Sequence, residues 1–280
     1  MKKIMSFLFL FGLVLTAQSQ TVDEVFAKFE AAVGGRDALL AIKTVQYKST
    51  ITLNMMGSPF DIPVTNIKEN NKMLRREVAG IMGMGKSFSI LTDTAGYLFT
   101  PAMRGFGGGG PGGPGGGIPE GGRDASLTKM NDATVKEEQY ELDAAGAFGH
   151  LVNYAAKGHK AELQGTAKVN KTECYKVKFT FNNGQEMLYY IDTKTFLPIQ
   201  TEALGKVALE QVGMGGMMEQ MGSDRAKKLK VITTYSNYEE VNGIKFPMKQ
   251  KLEMGAVEID VVNSDYQINQ PIDAKYYKLQ

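Results

Sequence analysis

The string Gly80-Ile81-Met82-Gly83-Met84-Gly85-Lys86-Ser87 has the G-x-x-x-x-G-K-S spacing of a phosphate-binding P-loop. Shortly after it, Asp93-Thr94-Ala95-Gly96 has the D-x-x-G spacing of a GTPase motif. A P-loop needs a long helix directly after it, because the N-terminal amides of that helix hold the phosphates. Only residues 88–92 separate the two motifs, and their alternating apolar and polar side chains predict a strand. We therefore expect no nucleotide at residues 80–87.

Histidine and cysteine, which often serve as bases, nucleophiles and metal ligands, are few in the chain. The two histidines, His150 and His159, have neither the H-x-x-x-H nor the H-E-x-x-H spacing of zinc sites. The one cysteine, Cys174, could pair with His159 as nucleophile and base, but its place in an alternating strand pattern favours a packing role. We predict no catalytic residue, no metal site and no cofactor, and hence a protein that is not an enzyme. An exported hydrolase is kept as a third hypothesis.

Methionine is unusually frequent, with 16 residues in a chain of 280. Those that cluster are Met82 and Met84, in the P-loop-like string, and Met214, Met217, Met218 and Met221, in a loop at about 213–223. Thioethers are soft ligands for Cu(I), and they also form adaptable apolar surfaces. Loop residues with no role are the third interpretation, and all three stay open.

Residues 1–19 predict a signal peptide. Lys2 and Lys3 give a basic start, residues 4–15 form an apolar run shorter than the ~20 residues that span a bilayer, and residues 17–19 resemble a cleavage site. No cysteine follows the run, so we expect export without a lipid anchor. Removal of the two lysines takes the formal net charge from +2 to about zero, which argues against a nucleic-acid partner.

Residues 173–192 give the clearest fold signal, a β-hairpin. Its first arm alternates an apolar set with a polar set: Tyr175, Val177, Phe179 and Phe181 with Lys176, Lys178 and Thr180. This alternation predicts a strand with one buried and one solvent-facing side. Asn183-Gly184 predicts a two-residue type I′ turn. Because an isolated hairpin is marginal in water, the pattern predicts a larger antiparallel sheet.

Most remaining segments predict further strands joined by short turns, as in a meander. Residues 21–24 form a capping box that begins an amphipathic helix ending at Gly34-Gly35. A second capping box at residues 134–137 predicts a helix to about Leu142, and residues 196–211 predict a strand. The Gly- and Pro-rich residues 104–123 predict a disordered loop within a single domain of residues 20–280.

Several phrases occur in an order that resembles exported Bacteroidota proteins related to outer-membrane lipoprotein-sorting factors. They are the Gly34-Gly35 opening at residues 32–45, DTAGYLFTP at 93–101, YIDTKTFLP at 190–198, YEEVNGIKFP at 238–247 and the ending at 269–277. The resemblance implies the LolA/LolB-like fold, mainly β (α+β). In that fold a single curved antiparallel sheet forms an unclosed β-barrel, and helices on its concave face cover an apolar cavity for acyl chains.

From this resemblance we predict a periplasmic carrier that binds an acyl chain, a lipid or a lipoprotein, with a role in outer-membrane lipoprotein sorting as one option. The predicted cavity-lining residues are Phe26, Phe29, Tyr97, Tyr175, Val177, Phe179 and Phe181. The alternative is an envelope interaction module that binds a partner protein through its Gly-rich and Met-rich loops. A large apolar cavity would favour the carrier, and a filled core would favour the module.

Overall fold

One antiparallel sheet organises the described part of the chain. The computed structural model describes residues 20–55, 58–80, 85–102, 124–214 and 228–279. The predicted signal peptide, the Gly- and Pro-rich loop and most of the Met-rich loop therefore lie outside the described residues. The strands of the sheet are β1 (Thr44–Met55), β2 (Ser58–Glu69), β3 (Met73–Val78), β4 (Ser87–Thr92), β5 (Gly96–Thr100), β6 (Ser126–Lys129), β7 (Lys160–Val169), β8 (Thr172–Thr180), β9 (Glu186–Asp192), β10 (Pro198–Leu204), β11 (Lys230–Val241), β12 (Ile244–Met254) and β13 (Val257–Ile268).

The strands follow the order β6-β5-β4-β3-β2-β1-β13-β12-β11-β10-β9-β8-β7, and neighbouring strands are antiparallel. The chain thus runs outward from β1 to one edge at β6, crosses to the other edge at β7, and returns to β13 beside β1. Among the described strands, the edges β6 and β7 do not pair with each other, so the barrel is unclosed. We call residues 130–159, which make the crossing, the crossing segment.

Short helices cover one face of this sheet. The α-helices of the described residues are α1 (Val22–Ala32), α2 (Arg36–Leu40), α3 (Asp132–Glu138) and α4 (Gly205–Gln211). The 3-10 turns Gln139–Leu142, Gly149–Leu151 and Tyr154–Lys157 also belong to the crossing segment. Buried side chains of α1 and of the crossing segment share one core with alternate strand residues. We call the covered face of the sheet its inner face.

The predicted capping box of α1 is confirmed. The Thr21 side chain accepts a hydrogen bond from the Glu24 backbone N–H at 3.2 Å, and the Glu24 carboxylate accepts one from the Thr21 N–H at 3.1 Å. Two of the four unpaired N–H donors at the helix start are thereby satisfied. The helix buries Phe26 and Phe29 against the inner face. At its far end, the Lys245 N–H donates to the Val33 carbonyl at 2.9 Å, which ties the helix to the turn between β11 and β12.

The C-terminal residues lie on the opposite, outer face of β2 to β5. Ile272, Tyr276 and Leu279 pack against a small apolar cluster on these strands, apart from the main core. From the outer face of β3, the Arg75 guanidinium donates to the Lys278 carbonyl at 2.7 Å. The tail therefore shields apolar strand residues that would otherwise face water.

The hairpin at residues 173–192 is present, but its turn differs from the prediction. The Phe181 N–H donates to the Gln185 carbonyl at 2.9 Å, so residues 182–184 form a three-residue loop. Gly184 has a φ of 87°, whereas Asn183 is not among the residues with positive φ. A three-residue loop needs a left-handed residue only at its last position. The two-residue type I′ turn occurs instead at Asn242-Gly243, where both φ angles are positive.

Two further local predictions were wrong. The strand predicted to run to residue 211 ends at Leu204, and residues 205–211 form α4. This helix buries the consecutive residues Val207, Ala208 and Leu209, whereas a strand would point them alternately to its two faces. The helix predicted from residue 134 begins earlier, since the Asn131 side chain accepts from the Thr134 N–H at 2.8 Å and caps α3. Strand β6 was not predicted, because its four residues are all exposed and show no apolar alternation.

Candidate functional site

The apolar residues of the hairpin arm point toward the inner face. Val177, Phe179 and Phe181 are at most 2 % exposed and belong to the main core. The Phe179 ring lies 6.4 Å from the ring of Phe26 on α1 and 5.5 Å from the imidazole of His150 in the crossing segment. On the outer side of the same strand, Lys178 is partly exposed and pairs with Glu186 at 2.7 Å. The predicted division of this strand into inner and outer side chains is therefore present.

The structure does not bring all seven predicted residues together. Five of them lie in the core, namely Phe26, Phe29, Val177, Phe179 and Phe181. Tyr175 lies at its margin, where its ring stacks on Phe196 with centroids 5.9 Å apart. Tyr97 lies elsewhere, on the outer face in the cluster covered by the C-terminal tail. Tyr97 pairs with Ile90 of β4, and both side chains point to the outer face, away from the crossing segment.

Buried side chains of the strands, of α1 and of the crossing segment pack together on the inner face. Neither of two spaces beside this core is lined by any of the seven predicted residues. One is a wide surface groove of about 880 Å³. The other is a small polar cavity of about 100 Å³ beneath the crossing segment. Together they form the candidate site.

The groove lies at the end of the sheet where β9 begins and β10 ends. Its floor includes Met187, Ala203 and Val207, which are buried members of the main core. Leu188 and Leu204 extend the apolar surface outward, and Leu204 is 56 % exposed. The groove is therefore an opening in the surface where the apolar core comes close to solvent.

Charged side chains surround this opening. The lining includes Lys178, Glu186 and Lys230. At the rim, the Lys206 ammonium on α4 forms an ion pair with the Glu137 carboxylate on α3. Long lysine stems add apolar area while their charged ends stay in water. The arrangement of an apolar floor and a charged rim suits an amphipathic ligand.

The polar cavity lies between the crossing segment and the inner face of the sheet, and its lining includes residues of β1 to β3 and of β11 to β13. Its charged and hydrogen-bonding lining comprises Tyr47, Lys68, Arg76, Tyr140, Glu141, Asp143, His150, Gln211, Tyr235, Gln250, Asn263 and Tyr266. A space of this size holds a few water molecules or a small polar group. It is too small for an acyl chain, since sites for drug-sized ligands measure about 300–1,000 Å³.

Two cations and two carboxylates fix the electrostatics of the cavity. The Arg76 guanidinium on β3 forms an ion pair with Glu141 of the crossing segment. Lys68 on β2 donates to the Asp143 backbone carbonyl at 2.9 Å, while the Asp143 carboxylate pairs with Lys157. Burial lowers the pKa of Lys68 from 10.5 to about 8, against the opposing effect of the Glu141 charge. These bonds join the sheet to the crossing segment.

Several buried polar atoms in the cavity have no partner among the described residues. They are the Arg76 Nε, the Tyr140 hydroxyl and one oxygen of Glu141, Oε1. Buried polar groups in folded proteins are nearly always hydrogen-bonded, and each exception calls for a water or a ligand. The Glu141 side chain is only 5 % exposed, so bulk solvent does not satisfy it. The cavity can therefore bind a polar group.

Comparison with known proteins bears on the fold. No family model matches the chain, and no curated protein matches it. A LolA superfamily protein from Nitrosomonas europaea is similar in structure, with a TM-score of 0.55 and 10% identity over 93% of this chain and 99% of that chain. The chain has a LolA/LolB-like fold. A DUF1329 family protein from Desulfovibrio piger is also similar, with a TM-score of 0.47 and 11% identity over 93% and 98% of the two chains.

The predicted fold class is thus confirmed for this LolA/LolB-like chain. In the described ranges, no helix has the length and apolar character needed to cross a bilayer. The segment after the P-loop-like string is strand β4, as predicted, and not the helix that phosphate binding requires. Of the clustered methionines, Met214 is buried in the main core, and the others lie outside the described residues.

The histidines of the LolA/LolB-like barrel have packing roles. The His150 Nε2 is hydrogen-bonded to the Tyr189 hydroxyl, and burial lowers the pKa of His150 from 6.5 to about 3. The His159 Nδ1 accepts from the Asn182 N–H at 3.0 Å. Cys174 lies in an outer-face cluster, and burial raises its pKa to about 11. A Cys174–His159 dyad is therefore excluded, because the two side chains lie on opposite faces of the sheet.

The cavity residues were missed at the sequence level although a signal was present. Along β2, Ile62 and Val64 face inward, and the same alternation places Asn66 and Lys68 on the inner face. A lysine at an inward-facing strand position is unusual, because charged side chains are rarely buried without a partner. Lys68 at such a position therefore indicates a polar site on the inner face.

Proposed function

We propose that this protein is a carrier that binds an acyl chain, as part of a lipid or lipoprotein, in the groove between α4 and the β9–β10 end of its half-barrel. The observation that carries the proposal is the groove itself, whose 880 Å³ lie within the range of small-molecule sites and whose floor is apolar core. The LolA/LolB-like fold supports it as well. Residues 1–19 support export, which would place the carrier in the periplasm.

Affinity would come from burial of apolar surface, with no chemistry required. Each Å² removed from water contributes about 25 cal/mol, offset by the cost of ordering the chain. Leu188 and Leu204, which are partly exposed, supply most of this surface without a change in the fold, because Met187, Ala203 and Val207 are already at most 8 % exposed. Deeper entry would require the crossing segment to move, because its Phe148 and Leu151 are packed in the core.

The proposal is tested with a fluorescent fatty acid and two matched variants. Leu204→Asp places a charge on the groove surface at a residue that is 56 % exposed, so the fold should be kept and fatty-acid affinity should fall about tenfold or more. Val262→Asp makes the same change at a residue that is 43 % exposed on β13 and does not line the groove. It should leave affinity unchanged.

Native mass spectrometry and lipid extraction of the protein purified from its own envelope give a second measurement. A co-purifying lipid of defined mass would support the carrier. Absence of lipid together with no uptake of the fluorescent fatty acid would overturn the proposal.

The filled interior favours a second candidate, an envelope interaction module. The predicted cavity-lining residues Phe26, Phe29, Val177, Phe179 and Phe181 are at most 2 % exposed, pack in the core and line neither the groove nor the polar cavity. Deletion of residues 107–117 separates the two candidates. Lipid uptake should survive the deletion if the protein is a carrier, whereas capture of a partner protein by cross-linking in the envelope should fail if the Gly-rich loop binds that partner.

A further inference from the structure

Several hydrogen-bond donors of the polar cavity have no partner among the described residues. The Lys68 ammonium has three N–H donors and makes one bond, to the Asp143 carbonyl. The Arg76 Nε–H and the Tyr140 hydroxyl are buried with no partner in the described residues. Among the described residues, Glu141 Oε1 is a buried acceptor of the cavity lining that has no partner. The two remaining N–H groups of Lys68, the Arg76 Nε–H and the Tyr140 hydroxyl are thus four donors that a ligand could satisfy.

The charges of the cavity point the same way. Arg76 and Lys68 are two cations, and Glu141 pairs with Arg76 alone. The Asp143 carboxylate is already paired with Lys157. Within the described ranges, no carboxylate lies within ion-pairing distance of Lys68. With Lys157 counted, three cations meet two carboxylates, so one further negative charge would balance them.

We propose that this cavity binds an anionic oxygen group, a carboxylate or a phosphate, between the Lys68 ammonium and the Arg76 guanidinium. The group would accept the spare N–H donors of both cations and the Tyr140 hydroxyl. Charge-assisted bonds of this kind are shorter and stronger than neutral ones. A cavity of about 100 Å³ has room for such a group and none for a chain.

The inference deepens the proposed function and rests on it where it names the ligand as an acidic lipid. Helix α4 joins the two spaces, since Lys206 and Val207 line the groove and Gln211 lines the cavity. A seven-residue helix is about 10 Å long, which is less than the length of an extended fatty acid. The acyl tail would lie in the groove and the acidic end in the cavity, and the crossing segment would move to admit the ligand between them, because its Phe148 and Leu151 are packed in the core.

The test compares 11-(dansylamino)undecanoic acid with its methyl ester, which differ in one negative charge. The wild-type protein should bind the acid about tenfold or more tightly than the ester. Lys68→Gln should remove this preference by weakening the acid and leaving the ester within about twofold. Lys68→Arg, which keeps the charge, should retain the preference, and Lys249→Gln on an exposed strand position should behave as wild type.

Binding of a free anion is tested separately with inorganic phosphate. Phosphate should raise the melting temperature of the wild-type protein and leave that of Lys68→Gln unchanged. Equal binding of acid and ester by the wild-type protein overturns the inference and leaves the carrier in place. If neither probe binds but phosphate stabilises in a Lys68-dependent way, the anion site stands and the carrier falls. If phosphate also has no effect, both fall. The acid and ester comparison needs no variant, so the test holds even if Lys68→Gln does not fold.

Discussion

Polar residues inside the barrel distinguish this molecule from a simple apolar half-barrel. Glu210 on α4 is an example, since it is 7 % exposed and its Oε2 has no partner among the described residues. Burial, together with the nearby Glu141 and Glu138 charges, raises the pKa of Glu210 from 4.5 to about 8. The folded protein therefore keeps a proton at neutral pH that the unfolded chain releases.

Glu210→Gln should stabilise the protein in a pH-dependent way. Between about pH 4.5 and pH 8 the wild-type free energy of unfolding falls as pH rises, because the folded state binds more protons than the unfolded state. Glutamine carries no such penalty, so the variant should gain about 1–3 kcal/mol at pH 8, given about 1.4 kcal/mol per pKa unit. Urea unfolding at pH 5, 6, 7 and 8 measures the difference.

The matched control is Glu240→Gln, at an exposed residue of β11. Its effect on stability should be small and should not change across the same pH series. A constant difference between Glu210→Gln and wild type at all four pH values would contradict the prediction.

Individual inward-facing residues were predictable, but the spaces between them were not. Alternation along one strand identifies Val177, Phe179 and Phe181 as inner-face residues. Whether a space remains beside them depends on side chains that arrive from other parts of the chain, such as Phe148 and Leu151 of the crossing segment. A cavity is a property of that packing, and strand periodicity carries no information on it.

At the scale of elements, local hydrogen-bond chemistry was read correctly where the residues decide it alone. The α1 capping box is of this kind, since Thr21 and Glu24 form both of its hydrogen bonds. Helix α4 was missed because its apolar residues, including Val207 and Leu209, suit a buried strand as well as a buried helix. Tertiary contacts decide between the two.

The end of α1 depends on a glycine at a close approach. A Cβ on Gly34 would lie 2.5 Å from the Gly243 carbonyl oxygen and 2.7 Å from Ile244 Cδ1. Gly34→Ala should therefore push α1 away from the turn between β11 and β12 and lower the free energy of unfolding by about 2–4 kcal/mol. Urea unfolding monitored by circular dichroism measures the loss.

Gly35→Ala is the matched control for this close approach. Gly34 and Gly35 both have positive φ, 134° and 93°, but a Cβ on Gly35 meets nothing within 4 Å. Gly35→Ala should thus show only the backbone cost, about 1–3 kcal/mol, and a smaller loss than Gly34→Ala, which adds the clash to that cost. Equal losses in the two variants would mean that backbone strain alone accounts for both.

At the scale of the whole molecule, the meander of neighbouring strands was predictable from short turns, and the family resemblance supplied the unclosed barrel. The partner of β1 was not predictable from local patterns, because β13 lies more than 200 residues away in the chain. The same applies to the outer face. Nothing local in residues 272–279 indicates that they cover β2 to β5.

This tail should be a substantial part of the stability of the barrel. Truncation after Gln270 removes the packing of Ile272, Tyr276 and Leu279 and the carbonyl acceptor of Arg75, so urea unfolding should show a loss of about 2–4 kcal/mol and dye binding should report the exposed apolar strands. Tyr277→Ala is the control, since Tyr277 is 48 % exposed, and it should cost at most about 1 kcal/mol. Unchanged stability after truncation would mean that the outer face of β2 to β5 tolerates water. In that case the apolar cluster there would be a free surface and not a second core.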